Sequence, residues 1–420
     1  MSMVRASMSA DRVSPQLAFD DLHRYLVEKN FTGWEYDDLL ASPFVNSLTR
    51  FGLYPRIAAV QLAKRCPINL RPFLGVPRLQ STKAWGFIVK GYLYNYLATD
   101  DDRYLPLVRR GLDWLIENRS PGRVEFCWGN DFDFASRSGF FPKRLPTVVW
   151  TSHIQAAFDL AWDTLGDPRY RDVVISSARF VETDLERNGD DTGICFAYAP
   201  GVNCVVHNSN LLGAVALLRG WRHTGNEDHY ELARTAINWS LTRMNPDGSW
   251  YYGDRGMQHW IDNYHTGYNL DSLVLARVLT QGNLVKQTDI NKTYVFWRDH
   301  FFESTGAPKF YHDRVYPHDI QATAQAIESL SKYSVYDRDA LALAKKVFDW
   351  AIRSMGKENG SFRYRIYRHW TNHLEAIHWG QATMLSAIGH LLYYTKRSES
   401  MANAASQVSL QNKTDYQPAT

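Results

Sequence analysis

The chain has 420 residues, of which 45% are apolar, 22% charged and 14% aromatic. This composition excludes an intrinsically disordered protein, a collagen-like fibre and a small disulfide-rich scaffold. The 47 basic and 44 acidic residues leave a formal net charge of +3, so no global charge excess favours nucleic acid or an anionic membrane. Any preference for anions must therefore be local.

The cysteines and the N-terminal residues indicate a cytoplasmic location. Only four cysteines occur and none has CxxC spacing, so a disulfide framework is not expected. Residues 1–12 contain no apolar run of signal-peptide length, and no stretch of about 18 consecutive apolar residues occurs elsewhere. We therefore expect a soluble protein of the reducing cytoplasm, with no membrane insertion.

The first predicted element is an amphipathic helix over residues 15–29, within a leader (residues 1–78) that is otherwise irregular and interrupted by prolines. Six similar blocks follow, and they begin near Trp85, Trp150, His207, His265, His318 and His378. The intervals between these starts are 65, 57, 58, 53 and 60 residues, a regularity that indicates an internal repeat.

Each block predicts a helical hairpin. Its first helix is apolar on most sides, as in residues 211–218, which is typical of a buried helix. A polar turn follows, with an Asp or Asn such as Asp167 or Asn226 placed to cap the next helix. The second helix has a single apolar stripe, as in residues 233–244, which is typical of an outer layer.

A buried helix alternates six times with a helix that is apolar on one side only. This pattern predicts an all-α (α/α)6 toroid, in which an inner ring of helices lies inside an outer ring. The last block lacks an outer helix, and we expect the leader helix to supply it and close the ring. Residues 79–395 are expected to form the toroid as one domain with the leader, and residues 396–420 a disordered tail.

One rim of this toroid is the predicted binding site. The connections from each outer helix to the next inner helix are long, aromatic and rich in glycine, as in residues 247–253 and 359–364. Long loops on a rigid scaffold are the usual place for a site. Six helix N-termini converge there, and their unpaired N–H groups favour a carboxylate or phosphate. Aromatic rings beside amide, imidazole and carboxylate groups are suited to sugars.

The candidate site residues lie in these loops and at the starts of the inner helices. The predicted catalytic residues are Tyr264 and His265 as a proton-transfer pair, Asp262 or His318 as the group that orients them, and the carboxyl group of Asp319. The predicted substrate-binding residues are Trp150, His153, His207, Asn208, Trp250, Asn269, Gln321, His378, Trp379, Gln381 and Arg255. No metal or cofactor is expected. An alternative zinc site would use Cys204 and His207, which have CxxH spacing.

Several segments resemble known families. The predicted toroid resembles the six-hairpin carbohydrate-active enzymes, which include glycosidases, polysaccharide lyases and sugar epimerases. Residues 260–273 are similar to the W-x-D-Y-H-T pattern of glucuronyl C5-epimerases, with one residue inserted, and residues 379–382 resemble a G-Q-A segment of those epimerases and of unsaturated glucuronyl hydrolases. Most of the chain, with its D-G-S-W-Y-Y-G loop, also resembles toroid proteins encoded with bacterial exopolysaccharide and O-antigen genes.

These observations favour an enzyme that acts on an acidic, uronate-containing poly- or oligosaccharide by proton abstraction, as an epimerase or a lyase does. A glycoside hydrolase is the alternative within the same class, and it needs two carboxyl groups, which could come from Asp262, Asp319, Asp131, Asp133 and Glu375. The second alternative is a non-catalytic glycan-binding protein that works with polysaccharide synthesis machinery. Nucleic acid is not an expected partner.

Overall fold

Helices make up most of the chain, and short antiparallel strands lie in the long connections between them. The computed structural model describes residues 13–136, 139–202 and 204–414. Its helices are α1 (Pro15–Glu28), α2 (Pro43–Thr49), α3 (Leu53–Arg65), α4 (Thr82–Thr99), α5 (Leu105–Glu117), α6 (Val148–Leu165), α7 (Pro168–Asp184), α8 (His207–Thr224), α9 (Glu227–Leu241), α10 (Asn263–Leu279), α11 (Gln287–Phe301), α12 (Ile320–Tyr333), α13 (Arg338–Met355) and α14 (Thr383–Thr414). Its strands are β1 (Phe134–Ser136), β2 (Gly139–Phe141), β3 (Arg187–Asp190), β4 (Gly193–Phe196), β5 (His318–Asp319), β6 (Arg365–Ile366) and β7 (Thr371–Asn372), paired as β1–β2, β3–β4 and β5–β6–β7.

The helices form two concentric rings. The even-numbered helices from α4 to α14 make the inner ring, in which each packs on the next and α14 returns to α4. Residues 207–220 of α8 are all buried, whereas the outer helix α5 buries a single stripe. Each inner helix begins within three residues of its predicted start, when the π-helical turn Ile377–Ala382 is counted with α14; the largest difference is between Trp85 and Thr82. The predicted two-layered ring is confirmed.

The polar turns between inner and outer helices have the predicted caps. Asp167 accepts a hydrogen bond from the backbone N–H of Arg169 at 3.0 Å, and Asn226 accepts one from that of Asp228 at 3.0 Å. The preceding glycines, Gly166 and Gly225, end α6 and α8 with φ angles of 70° and 69°, which favour glycine. These turns are short because one residue ends a helix and the next begins another.

The leader helix α1 lies on the outside, where α14 meets α4. It packs on α14, and His23 Nδ1 lies 2.9 Å from the Tyr92 hydroxyl on α4. At the other end of the chain, the backbone of α14 is helical over residues 396–414, and the remainder of the predicted disordered tail, residues 415–420, lies outside the described residues.

The rest of the leader packs over one end of the inner ring. Leu39 and Leu40, Val45 of α2 and Val60 of α3 form a small apolar core with Ala135 of β1. Among the described residues, no helix has the length and hydropathy that crossing a bilayer requires.

The junction that closes the ring requires glycine. A Cβ atom on Gly389 of α14 would lie 2.6 Å from the carbonyl oxygen of Gly91 on α4, closer than real Cβ atoms approach. We expect Gly389→Ala to lower the free energy of unfolding by about 1–3 kcal/mol, because the two helices must separate. Urea denaturation measures this change. Gly256→Ala is the matched control, since no heavy atom lies within 4 Å of its added Cβ. Equal stability of both variants would contradict the predicted contact.

Candidate active site

A cavity of about 510 Å³ lies between the leader and the end of the ring at which the inner helices begin. The inner helices contribute Trp150, Asn208, Tyr268 and Gln321 to its wall, and Trp379 comes from the π-helical turn. The leader contributes Tyr36, Asp37, Ile57, Val60 and Lys64. The cavity is therefore enclosed by segments that are far apart in the sequence.

An aspartate and a histidine form a bonded pair in the wall. Asp262 is the N-cap of α10 and accepts a hydrogen bond from the backbone N–H of His265 at 3.0 Å. The His265 ring donates from Nδ1 to Asp262 Oδ2 at 2.7 Å, and Trp260 Nε1 donates to the same oxygen at 2.8 Å. Because a carboxylate only accepts, this contact places the proton of a neutral imidazole on Nδ1. The lone pair of His265 Nε2 is then available to a ligand in the cavity.

Tyr264 lies beside this pair. The centroid of its ring is 4.0 Å from that of His265. Burial, and next the charge of Asp262, holds the pKa of Tyr264 well above its ordinary value. The hydroxyl therefore keeps its proton at neutral pH and can donate a hydrogen bond or a proton.

Aromatic rings cover much of the cavity wall. Tyr252 stacks on Trp260 with centroids 4.5 Å apart, and it lies 4.4 Å from the His265 ring. Trp150 and Trp379 meet edge to face at 6.1 Å. Planar apolar faces next to a polar pair are suited to binding the C–H face of a sugar ring.

A fully buried lysine lies behind the two tryptophans. Lys83 Nζ is 3.7 Å from the Trp150 ring centroid and 3.3 Å from that of Trp379. Burial lowers the pKa of Lys83 well below its ordinary value, although Asp37 and Glu35 oppose this change. The Lys83 amine therefore loses its proton more readily than an ordinary lysine, and it lies against the rings of Trp150 and Trp379.

Three buried side chains that could ligate a metal ion lie near Lys83. One candidate ligand atom from each of Glu35, Asp37 and His378 lies within 4.8 Å of the others, so these residues could hold a metal ion. The backbone N–H of His378 donates to Glu35 Oε1 at 2.6 Å, and burial, followed by the charge of Asp37, raises the pKa of Glu35 well above its ordinary value. Glu35 Oε2, Asp37 Oδ1 and His378 Nε2 are buried without a hydrogen-bond partner. The cluster can therefore accept a proton, a water or a cation.

Basic side chains form one edge of the cavity. Arg365 is paired with Asp319, with its Nε 2.7 Å and its Nη2 2.6 Å from Asp319 Oδ2. Lys64 Nζ lies 4.3 Å from the Tyr36 ring centroid, and Arg65 is exposed. Within the described ranges, neither Lys64 nor Arg65 has a carboxylate within ion-pair distance. Burial, and next the charge of Arg365, lowers the pKa of Lys64 to about 8.

Comparisons with known proteins show the same architecture. No protein-family model and no curated protein matches the sequence. Among solved structures, the chain is similar to a sugar epimerase from a ruminal bacterium, with a TM-score of 0.60 and 12% identity over 77% of this chain and 90% of that one. It is also similar to a possible member of family GH105 from Klebsiella pneumoniae, with a TM-score of 0.60 and 10% identity over 93% and 96%. A GH76 α-mannanase from Bacteroides thetaiotaomicron has a TM-score of 0.57 and 10% identity over 75% and 87%.

The fold is the (α/α)6 toroid. Because these structures share only 10–12% sequence identity with the chain, the similarity establishes the fold but not the site residues. The predicted residues that line the toroid cavity are Asp262, Tyr264, His265, Trp150, Asn208, Gln321 and Trp379.

Four other predicted residues lie against the outer layer of the toroid or within the loops. The His207 ring packs against Trp239 of α9 and Trp250, with centroids 5.2 and 5.4 Å away. His318 Nδ1 lies 2.9 Å from the carbonyl oxygen of Pro308. The further contacts are a hydrogen bond from Trp250 Nε1 to Thr293 Oγ1 and two between the Gln381 amide and the backbone of Phe362. Hydrogen bonds thus hold Trp250, His318 and Gln381, and ring packing holds His207; none of these four side chains lines the cavity.

The remaining predicted residues lie below or outside the cavity of the toroid. His153, Asn269 and His378 are buried without lining it, and Asp319 is separated from it by Arg365. Arg255 is exposed on a loop. The alternative zinc site would use Cys204 and His207. Cys204 accepts a hydrogen bond from Gln258 Nε2 at 3.4 Å. Neither residue belongs to the Glu35–Asp37–His378 group, the candidate metal site found within the described ranges.

Sequence reasoning missed the contribution of the leader to the toroid cavity. Tyr36, Asp37 and Lys64 belong to a segment with no repeat, so no equivalent positions pointed to them. Lys83 was also missed, although it precedes Trp85 at a predicted block start. One signal in the sequence could have indicated the role of the leader. Helix α3 carries apolar residues on two sides, which indicates that one of these sides packs against the rest of the protein.

Proposed function

We propose that this protein is a carbohydrate-modifying enzyme that removes and returns the proton on the carbon next to the carboxylate of a uronate unit. The Asp262–His265 pair in a cavity walled by aromatic rings is the observation that carries this proposal. The structural likeness to a sugar epimerase from a ruminal bacterium supports the same class of chemistry. The four free cysteines favour a reducing compartment for it.

The reaction can be written with residues of this chain. His265 Nε2 takes the proton from the sugar carbon, and Asp262 stabilises the imidazolium that forms. The electron pair of the broken C–H bond moves into the sugar carboxylate, whose added negative charge the ammonium of Lys64 and the guanidinium of Arg65 stabilise. Tyr264 then donates its hydroxyl proton to the other face of the same carbon, which gives the epimer. The proton held by His265 passes through water to the Tyr264 phenolate, so both groups return to their starting states. Expulsion of the substituent on the next carbon instead gives elimination.

One observation favours hydrolysis as a second candidate function. Burial raises the pKa of Asp37, which lines the cavity with one unpartnered oxygen, so its carboxyl group keeps a proton to a higher pH than usual. A carboxyl group of this kind is the general acid of a glycoside hydrolase. The required second carboxylate would be Asp262, which already caps α10 and binds His265.

Incubation in heavy water tests these functions together. The protein is incubated with uronate-containing oligosaccharides and their neutral analogues, and the products are analysed by mass spectrometry. We expect deuterium in the uronate unit or an unsaturated chain end, and neither with the neutral analogues. Shortened chains without deuterium would overturn proton abstraction in favour of hydrolysis. Binding without any chemical change would show a glycan-binding protein.

The affinity for a uronate should depend on pH through Lys64. Its pKa of about 8 lies below the ordinary lysine value, so its positive charge is present at pH 7 and is lost as the pH rises through 8. We expect uronate binding, measured by calorimetry, to weaken about tenfold between pH 7 and pH 9.5. Lys64→Arg, which keeps its charge over this range, is the matched control and should bind almost equally at both values. The same weakening in Lys64→Arg would assign the effect to another group.

A further inference from the structure

The leader carries an exposed apolar surface. Its large members are between 56% and 83% exposed, and we define the leader patch by Phe44, Leu48, Phe51, Tyr54, Leu62 and Phe73. Phe44 and Leu48 are one turn apart on α2, and α2 packs against α3, which carries Tyr54 and Leu62. Elsewhere in the described ranges, large exposed apolar side chains are more dispersed along the chain. Exposed apolar side chains concentrated in one part of a protein mark an interaction site.

Helix α3 shows why this surface is unusual. Val60 and Ala63 on its inner side are buried in the leader core. Tyr54, Ala58 and Leu62, each four residues apart, form an exposed stripe on its other side. A stripe of apolar residues along one side of a helix is normally buried against a neighbour. The outer side of α3 therefore lacks a covering partner within the described residues.

The charge of the segment indicates what that partner is. No Asp or Glu occurs over residues 39–99, although the whole chain has 44 of them. Arg50, Arg65 and Arg78 are exposed in the same segment. Exposed aromatic and aliphatic side chains next to arginines, without acidic residues, are characteristic of segments that lie in the interface of an anionic membrane.

We propose that the leader patch docks the protein onto an anionic phospholipid surface. Phe51 and Phe73, which are 79% and 83% exposed, insert among the lipid headgroups, and Arg50 binds the lipid phosphates. The inner side of α3 lines the cavity through Ile57, Val60 and Lys64, so docking would hold the cavity next to the membrane. This proposal does not depend on the reaction proposed above.

A second copy of the chain fits the patch less well. A two-fold contact would place the patch against the same patch of another copy. Arg50 and Arg65 would then face the same positive segment, and no acidic residue in residues 39–99 would neutralise them. An anionic lipid surface has charge complementary to the exposed Arg50, Arg65 and Arg78.

Vesicle co-sedimentation of the full chain tests the proposal. The vesicles contain equal parts phosphatidylglycerol and phosphatidylcholine, or phosphatidylcholine alone. We expect binding to the anionic vesicles only, and its loss in 1 M salt, because the screening length falls from about 10 Å to about 3 Å. Phe51→Ser/Phe73→Ser should lower the bound-to-free ratio at least tenfold. Arg50→Glu should lower it about 25-fold, at about fivefold per unit of charge.

A matched control uses two exposed apolar residues outside the patch. Val124 and Val278 are 89% and 58% exposed, and Val124→Ser/Val278→Ser should bind vesicles as the wild type does. Circular dichroism checks that every variant is folded. The proposal is overturned if the wild type ignores anionic vesicles, or if the patch variants bind as well as the control. A wild-type dimer that Phe51→Ser/Phe73→Ser converts to a monomer, without vesicle binding, would assign the patch to self-association instead.

Discussion

Replacing His265 by alanine is expected to lower kcat by about 10²–10⁴-fold, because the substitution removes the base that takes the proton from the sugar carbon. Asp262→Asn should lower kcat by about 10²-fold. An asparagine oxygen can still cap α10, but a neutral amide cannot stabilise the imidazolium that His265 becomes. Both effects should fall on kcat rather than on KM, since the pair acts mainly in the transition state.

The measurement is the rate of deuterium incorporation into the uronate unit, compared between the wild type and the two variants. His369→Ala is a suitable control, since this histidine is exposed and does not line the cavity. It should retain the wild-type rate. A folded His265→Ala protein that keeps more than a tenth of the wild-type rate would remove His265 from the mechanism, and the proposed reaction would need a different base.

Replacing Glu328 by glutamine is expected to lower the free energy of unfolding by about 3–5 kcal/mol, because it breaks a buried charge network inside the ring. Glu328 of α12 accepts hydrogen bonds from Lys332 Nζ at 2.6 Å and from Ser386 Oγ of α14 at 2.9 Å. Lys90 of α4 lies 3.4 Å away, and Lys332 also donates to Asp271 of α10 at 2.8 Å. The Glu328 carboxylate thus joins α12 to α14 and α4, and Lys332 extends the network to Asp271 of α10. Its replacement by a neutral amide leaves the buried Lys90 without its ionic partner.

This loss should depend on pH. Burial opposes the ionisation of Glu328, but His390, Lys332 and Lys90 outweigh it and hold the pKa of Glu328 well below its ordinary value. A lowered pKa in the folded state stabilises the protein fully above the ordinary glutamate pKa, and the stabilisation is lost as the pH falls through the lower, folded-state value. The difference in unfolding free energy between wild type and Glu328→Gln should therefore shrink below about pH 4.

Urea denaturation at pH 7 and pH 3 measures both effects. Glu231→Gln is the control, because Glu231 pairs with Arg234 at an exposed position, where an ion pair contributes less than about 1 kcal/mol. If Glu328→Gln were no less stable than Glu231→Gln, the network would not hold the ring together. The Gly389 prediction concerns the same ring at its closing junction, where backbone contact rather than charge determines the stability.

Adjacent residues at one helix start show where sequence reasoning reached its limit. His207 and Asn208 were predicted together as binding residues because both open α8 in a polar run. The structure packs His207 against Trp239 and Trp250, whereas Asn208 lines the cavity. Successive residues of a helix are about 100° apart around its axis, so the side chains of His207 and Asn208 point in different directions and only one of them reaches the cavity. Asp262 and His265 do meet, because Asp262 is the N-cap of α10 and its carboxylate accepts from both the backbone N–H and the ring of His265.

The sequence by itself determined the double ring, its six starts, its caps and the rim on which the cavity lies, because helix periodicity and turn chemistry act over a few residues at a time. Only the tertiary structure decided which starting residues reach the cavity, since this depends on the rotation of each helix against its neighbours. It alone also brought Tyr36, Asp37 and Lys64 over the mouth of the ring. The leader has no repeat to compare, and its position comes from long-range packing.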